Sequence, residues 1–476
     1  MLDALSCFKA YAARDARFDG RFFTGVTSTG VYCRPVCTAR VPKPEHCRFF
    51  PSAAAAEAQG FRPCLICRPE CAPGDAPVEA GMRLADAAAG LIAEGVLDEG
   101  GLGAVCERLG ASARQVRRVF RDRFGVAPVA YAQTRRLLLA KQLLTDTAMS
   151  VTDAAFASGF SSLRRFNALF KSRYGLSPTA LRRSGDTAAL VADSPALTLG
   201  YRPPYNWDGM LGFLGARAVP GLEEVDGGAY RRTLRLWRKG EPHAGWIAVS
   251  PAAGKDALRV AVSTGLMPVL PAALARVSHL FDLCCDPWAV ARGLGGLVAG
   301  HEGVRLPGAA DGFETAVRAI LGQQVTVAGA RTLAGRFVAA FGDALATPFA
   351  SLTGTFPDAG RVAALSVEAI ASLGVIASRA RAIIALAKAV RDGGLVLAPT
   401  ADLEKNLAAL RALPGVGEWT TQYIAMRALG WPDAFPHTDG GLKKALSEID
   451  PGRILRQAEA WRPWRAYAVM HLWRKL

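Results

Sequence analysis

Two sets of side chains in this sequence have the types and spacing to do chemistry. The first is a pair of cysteine pairs, Cys33 and Cys37 with three residues between them, and Cys64 and Cys67 with two. Two such knuckles can close a tetrahedral thiolate site, and zinc is the ion that four cysteines suit best. Spacing alone leaves open whether the zinc is structural or holds a reactive thiolate. The second is Asp439, 22 residues after Gly417 in the turn Leu413-Pro414-Gly415-Val416-Gly417. Two glycines and a proline between helical segments turn the chain tightly and bare N–H groups at the start of the next helix, which suits a phosphate. A helical hairpin also uses glycine merely to reverse the chain. Asp439 precedes the amphipathic run Leu442 to Leu446, where an aspartate caps a helix and is thereby fixed at the edge of a cleft.

The rest of the chain must position these groups, and at 476 residues it has the length for three or four domains. It carries 57 Lys and Arg against 41 Asp and Glu, a net charge of +16, which points to double-stranded DNA or another nucleic acid as partner. The first residues lack a basic-then-apolar leader, and no apolar run approaches the ~18 residues of a membrane span, so a cytoplasmic protein without a membrane partner is expected. In that compartment clustered cysteines read as metal ligands rather than disulfides. Cys7, Cys47, Cys106, Cys284 and Cys285 read as ordinary buried thiols.

After a low-complexity join at 72–77 and a helix over 78–96, one pattern occurs twice: a short helix, a glycine turn, a longer basic helix and a Gly-x-x-Pro ending. The first copy predicts helices over 102–109 and 114–124, the second over 151–158 and 163–174, with a linking helix over 129–144. That layout lets a second helix enter the major groove. Between Ala111 and Arg183 there are 14 Lys or Arg against three acidic residues. Arg114, Gln115 and Arg118 in one helix, and Ser162, Arg164, Arg165 and Asn167 in the other, are placed to reach base edges or phosphates. Val116, Val119, Phe120, Phe166, Leu169 and Phe170 fall at core spacing.

Beyond a polar linker at 184–194 the pattern shifts to strands, over 230–237, 246–249 and 258–262, as in an antiparallel sheet with one covered face. From Asp311 it is helical, with 312–342 as one long amphipathic section or two. His243, His279 and His301 have no metal-ligand spacing.

The words around these residues carry family resemblances. RDARFDGRFFTGVTSTGVYCRPVCTAR with FRPCLIC resembles the N-terminal zinc domain of the Ada adaptive-response regulator. That resemblance implies Cys33 as acceptor of a methyl group from a methylated DNA phosphate, Cys37, Cys64 and Cys67 as its fellow zinc ligands, and Arg34 and Arg40 as DNA contacts. An exposed zinc-held thiolate is a fitting nucleophile for a methyl ester. SVTDAAFASGFSSLRRFNALFKSRYGLSP resembles the DNA-binding domain of AraC-type regulators, for which promoter DNA and RNA polymerase are the implied partners. YRPPYNW followed by MLGFLGARAVPGLEEV, then FDLCCDPWAV and the LPGVG turn with Asp439, resembles the 3-methyladenine DNA glycosylase II group of helix-hairpin-helix glycosylases.

This last resemblance implies Asp439 as the catalytic carboxylate, Trp419, Tyr423 and Trp473 as the pocket for a flipped alkylated base, and Gly415 and Gly417 as backbone contacts. Gln324 stands where the family pattern has a leucine that wedges into the duplex. Strand-cleaving relatives carry lysine at the position of Trp419, so base removal without strand cleavage is implied. No PCHR motif occurs, so the O6-methylguanine transferase half of Ada is missing. The expected architecture is multidomain and mainly α: a small zinc α+β domain (1–75), a double helix-turn-helix (80–184), a TBP-like antiparallel α+β domain (195–285) and an all-α helix-hairpin-helix core (286–476).

Overall fold

The computed structural model describes residues 3–73, 80–183 and 194–476. The joins expected at 72–77 and 184–194 fall almost wholly outside the described residues. Among the described residues no helix is long and apolar enough to cross a membrane.

The N-terminal unit packs the helix Ala4–Ala12 beside a four-stranded sheet of β1 (Phe23–Val26), β2 (Val31–Cys33), β3 (Cys47–Phe50) and β4 (Arg62–Pro63), in the order β3-β1-β2-β4. β1 pairs antiparallel with β2 and β3, whereas β4 runs parallel to β2 with Tyr32 opposite Pro63. The parallel pairing is what assembles the cysteines. β2 ends at Cys33, β4 runs directly into Cys64, and the Cys64 amide bonds the Tyr32 carbonyl at 3.0 Å, so both knuckles emerge at one end of the sheet.

The double helix-turn-helix follows the sequence signals closely. Its longer helices are Ala113–Phe124 and Leu163–Tyr174, capped by Ser112 and Ser162 and stopped by left-handed Gly125 and Gly175. The linking helix Pro128–Asp146 starts on the proline that ends the first copy. The segment Val96–Leu109 breaks at Gly101, whose dihedrals of φ 64° and ψ −162° are not helical, so the helix leading the first copy starts beyond it, near residue 102 as expected.

Next comes a five-stranded antiparallel sheet of β5 (Ala196–Gly200), β6 (Glu223–Asp226), β7 (Ala229–Arg238), β8 (Glu241–Pro251) and β9 (Ala257–Val262), in the order β5-β9-β8-β7-β6. The sequence pattern showed three of these strands. β6 escaped because its Glu-Glu-Val-Asp is not apolar: the buried Glu223 is satisfied by arginines instead of by packing. The C-terminal unit is a stack of helices around one large core, and the section after Asp311 is two helices, Gly312–Leu321 and Val327–Phe341. Gln324, left-handed at φ 54°, lies in the break between them.

The units share cores and ion pairs. Phe166, Phe170 and Leu181 of the second helix-turn-helix belong to the same apolar cluster as Leu197, Met210 and Ile247 of the sheet unit. The zinc unit docks on the linking helix through Lys141–Glu70 at 2.6 Å and Arg68–Asp146 at 2.6 Å. It also docks through the buried Glu57, which accepts from Tyr32 Oη at 3.0 Å and Thr134 Oγ1 at 2.9 Å.

Glu57 makes this joint sensitive to pH. Burial pushes its carboxyl up to about 7, against the Thr134 and Tyr32 hydrogen bonds and the charge of Arg173, which pull it down. The folded state therefore favours the protonated acid more than the unfolded chain does, so stability falls as pH rises from the ordinary glutamate range through neutrality and levels off above it. Glu57→Gln should abolish that slope. Between about pH 6 and 8.5, wild type should lose on the order of 1 kcal/mol of unfolding free energy and the variant almost none, as read by denaturant titration of the zinc-loaded protein. Parallel slopes for the two proteins would show that Glu57 is ionised throughout.

Candidate functional site

Asp439 is the N-cap of the helix Gly440–Leu446, its Oδ1 accepting the Leu442 amide at 2.9 Å. Two indoles complete its setting: Trp419 Nε1 donates to Oδ2 at 2.8 Å and Trp473 Nε1 donates to Oδ1 at 2.9 Å. Both carboxylate oxygens are thus fixed in place by N–H donors. Gly441 is required here, since a Cβ at that position would lie 2.9 Å from Asp439 Oδ1 and 3.2 Å from the Trp473 ring.

Trp419 and Tyr423 sit one turn apart on the helix Glu418–Arg427 and stack at 5.2 Å with 16° between planes. Trp473, on the helix Arg465–Trp473, approaches Tyr423 at 6.4 Å. The structure therefore brings Asp439, Trp419, Tyr423 and Trp473 into one cluster. It also adds members that sequence reasoning missed. Phe213 lies nearly parallel to Trp473 at 6.4 Å, Arg217 lies over the Phe213 ring at 3.9 Å, and Arg427 Nη1 donates to Tyr423 Oη at 2.8 Å. Phe213 and Arg217 belong to the helix Trp207–Arg217 of the sheet unit, whose pattern reads as plain core, so only its position near the opening MLGFLGAR words could have flagged them. Although burial pushes the Tyr423 phenol up, Arg427, Arg217 and Arg318 outweigh it and hold the group below its ordinary value.

A buried ionic network locks this wall in place. Arg232 reaches Glu314 at 2.6 Å and Glu223 at 3.2 Å, while Arg318 reaches Glu314 at 2.8 Å and Glu223 at 2.9 Å. Tyr230 Oη donates to Glu223 at 2.6 Å.

The LPGVG turn lies beside the cluster on the same helix. Gly415 is left-handed at φ 77°, with Ala382 Cβ 3.1 Å from where its own Cβ would stand, so glycine is needed there. Gly417 has ordinary dihedrals, open space around it and no side-chain cap, which leaves the first N–H groups of Glu418–Arg427 uncapped by side chains. Gln323 Nε2 bonds Gly415 O and Thr420 Oγ1, each at 2.9 Å, and pins the turn carrying the exposed Gln324 against the hairpin.

At the other end of the chain, the Sγ atoms of Cys33, Cys37, Cys64 and Cys67 all lie within 4.8 Å of one another. Zinc–sulfur bonds of ~2.3 Å would place tetrahedral sulfurs about 3.8 Å apart, so the four fit the ion with little adjustment. Crowded this closely, the sulfurs of Cys37 and Cys64 push the Cys33 thiol well above its ordinary value, and a divalent cation is what lets all four be thiolates.

One expectation is corrected here. Cys33 was expected to be exposed, but only 4 % of it is, with the Tyr11 hydroxyl against its sulfur, and Cys67 is the half-buried ligand of the four. Arg34, which the resemblance gave as a DNA contact, has its guanidinium on Asp19 and on Cys67 O at 3.1 Å, and its amide donates to Cys67 Sγ at 3.3 Å. It buttresses the metal site. Arg40 is exposed, as are Arg114, Arg118, Arg164 and Arg165 on the two longer helices, where Arg117 and Arg121 add to the basic face. Cys47, Cys106 and Cys284 are half-buried rather than buried.

Comparison with known proteins divides the chain along these lines. Family models match the metal binding domain of Ada at 6–70, a helix-turn-helix domain at 105–184, the AlkA N-terminal domain at 196–311 and the HhH-GPD superfamily of base excision DNA repair proteins at 317–460. A Mycobacterium tuberculosis protein described as a probable bifunctional transcriptional activator/DNA repair enzyme AlkA is 40% identical over 485 residues, covering 99% of this chain and 96% of its own. DNA-3-methyladenine glycosylase 2 of Escherichia coli is 41% identical over 276 residues, covering 58% of this chain and 96% of its own. Among solved structures, a 3-methyladenine DNA glycosylase from Archaeoglobus fulgidus shares the fold of 58% of this chain over 97% of its own, with a TM-score of 0.50 at 22% identity. With zinc-site, helix-turn-helix and helix-hairpin-helix units in one polypeptide and a relative matched along nearly its whole length, the chain belongs to the family of AlkA-type bifunctional transcriptional activator/DNA repair enzymes.

Proposed function

We propose that the protein senses DNA alkylation at its zinc site and removes alkylated purines such as 3-methyladenine and 7-methylguanine at Asp439. The observation that carries the repair half is the Asp439 carboxylate, held by two indole N–H groups at the rim of an aromatic cluster. Breaking an N-glycosidic bond leaves positive charge on the sugar, and a fixed carboxylate stabilises it without reorganising. Trp419, Tyr423 and Trp473 would stack on the flipped base, favourably so when alkylation makes it cationic. Gly415, Gly417 and the amides that follow would hold a backbone phosphate, with the exposed Gln324 contacting DNA beside them. Two basic recognition helices on promoter DNA, recruitment of RNA polymerase and a cytoplasmic location complete this reading.

Asp439→Asn keeps the shape and loses the charge. Its single-turnover base release from methylated duplex should fall by a factor on the order of 10² to 10³, while DNA binding stays within a few-fold of wild type. A variant releasing bases at near wild-type rate would remove Asp439 from the mechanism. Trp419 leaves no amine at the position where strand-cleaving relatives have lysine, so borohydride should trap no covalent protein–DNA adduct.

Cys33 is the proposed methyl acceptor. Zinc keeps the ligand sulfurs as thiolates, and four of them around a divalent cation sum to −4 + 2 = −2, an unfavourable charge beside a phosphate. A neutral thioether at Cys33 makes it −1, and a unit charge at contact distance is worth ~1 kcal/mol or more. Methylated protein should therefore bind its promoter DNA about tenfold more tightly, with a changed salt dependence, and Cys33→Ser should block both methyl uptake and the gain. Because Cys33 is only 4 % exposed and Cys67 is half-buried, a second reading makes Cys67 the acceptor. Peptide mass mapping after exposure to methylphosphotriester DNA decides between them, and no methyl on either cysteine would leave the zinc purely structural.

A further inference from the structure

Arg217 and Arg427 are cations at the base of the aromatic cluster with no counter-ion among the described residues. Glu223 and Glu314, which border the same small cavity as both, are engaged by Arg232 and Arg318. Arg427 donates to Tyr423 Oη and to two backbone carbonyls, those of Pro307 and Gly308. Arg217 bonds Phe213 O at 3.3 Å and the Tyr423 side chain, and its guanidinium lies over the Phe213 ring at 3.9 Å. Burial lowers its affinity for its proton, the sign of a guanidinium desolvated without an anion.

The cluster has a direction. Asp439, with the indole nitrogens of Trp419 and Trp473, marks the end where the sugar must sit. Along the helix Glu418–Arg427, Tyr423 is one turn deeper and Arg427 a further turn, about 12 Å from Trp419 to Arg427. A base entering with its glycosidic nitrogen toward Asp439 therefore presents its far edge to the end that Arg217 and Arg427 occupy. On a purine that far edge carries the substituent at position 6: a carbonyl oxygen on guanine and hypoxanthine, an amino group on adenine.

We propose that Arg217 is a specificity-determining residue that donates to the carbonyl at position 6 of the flipped purine, so that the enzyme favours 6-oxopurines over 6-aminopurines bearing comparable damage. Guanidinium has only donors and finds an acceptor in the first case, whereas in the second two donors face each other and neither is satisfied. Arg427, tied to three oxygens, holds Tyr423 and keeps that end positive. The inference rests on the glycosylase reading above.

One methylated duplex tests it, because 7-methylguanine and 3-methyladenine can be released from the same DNA and resolved on the same chromatogram. In single-turnover experiments with the full-length protein, Arg217→Met should slow 7-methylguanine release about tenfold more than it slows 3-methyladenine release. Hypoxanthine release from an inosine-containing duplex should follow 7-methylguanine. Arg217→Lys, which keeps the charge and a donor but loses the planar fork, should recover part of the 7-methylguanine rate. Equal losses for both bases in Met and Lys variants, or no loss in either, would overturn the proposal, since a structural role does not sort bases by their position-6 group. Wild-type protein that releases no base at all would instead sink the glycosylase reading and this inference with it.

Discussion

The interaction on which the repair site depends is the buried alternation of Glu223, Arg232, Glu314 and Arg318. It joins β6 and β7 of the sheet unit to the helix Gly312–Leu321 of the helical unit. Phe213 and Arg217 come from one side of that seam, and Trp419, Tyr423 and Trp473 from the other. Without a fixed seam the aromatic cluster would have no constant width. Two carboxylates against two guanidiniums leave no net charge, and each group has more than one partner, which is the condition under which buried charges are tolerated. Removing one member would leave an uncompensated ion and cost several kcal/mol, so such a network resists sliding more than an apolar contact of equal area. Arg318 also bonds the Arg217 carbonyl at 2.6 Å, so the seam positions the backbone of the residue that closes the cluster.

What the sequence made legible follows from which physical rules are local. Gly125 with Pro128 and Gly175 with Pro178 mark helix ends by backbone conformation alone, so the paired helix-turn-helix was readable to within a few residues. Asp439 was readable because an N-cap is a local event, and the four cysteines because ligand spacing is. β6 was not, because its stabilisation comes from Arg231 and Arg232 on the neighbouring strand and from Arg318, some 95 residues away along the chain. Phe213 and Arg217 were not, because their role depends on a helix from one unit meeting a helix from another. The burial of Cys33 was equally invisible: it follows from β2 running through the centre of its sheet and from Tyr11 covering its end.

The same distinction explains Arg34. An arginine next to a ligand cysteine in a DNA-binding context reads as a phosphate contact, yet three sides of this one face protein: Asp19, the Cys67 carbonyl and, through its amide, the Cys67 sulfur. Hydrogen bonds to a ligand sulfur delocalise its negative charge and orient the ligand, which is the part outer partners play at metal sites generally. Arg34 thus belongs to the site's internal electrostatics, whereas Arg40 stays exposed.

Zinc ligands and recognition helices are also closer mechanically than the chain order suggests. Cys33 follows Tyr32, whose hydroxyl meets Glu57 and through it Thr134; Cys67 precedes Arg68, which pairs with Asp146. Thr134 and Asp146 both lie on Pro128–Asp146, the helix that joins the two helix-turn-helix units. A ligand on each knuckle is therefore one residue from a contact to the same rigid rod, about 18 Å apart at the ~1.5 Å rise of a helix. A change at the sulfurs that shifts β2 relative to β4 acts on both ends of that lever. The rod carries a recognition unit at each end, so its setting fixes the spacing at which the two can reach successive grooves.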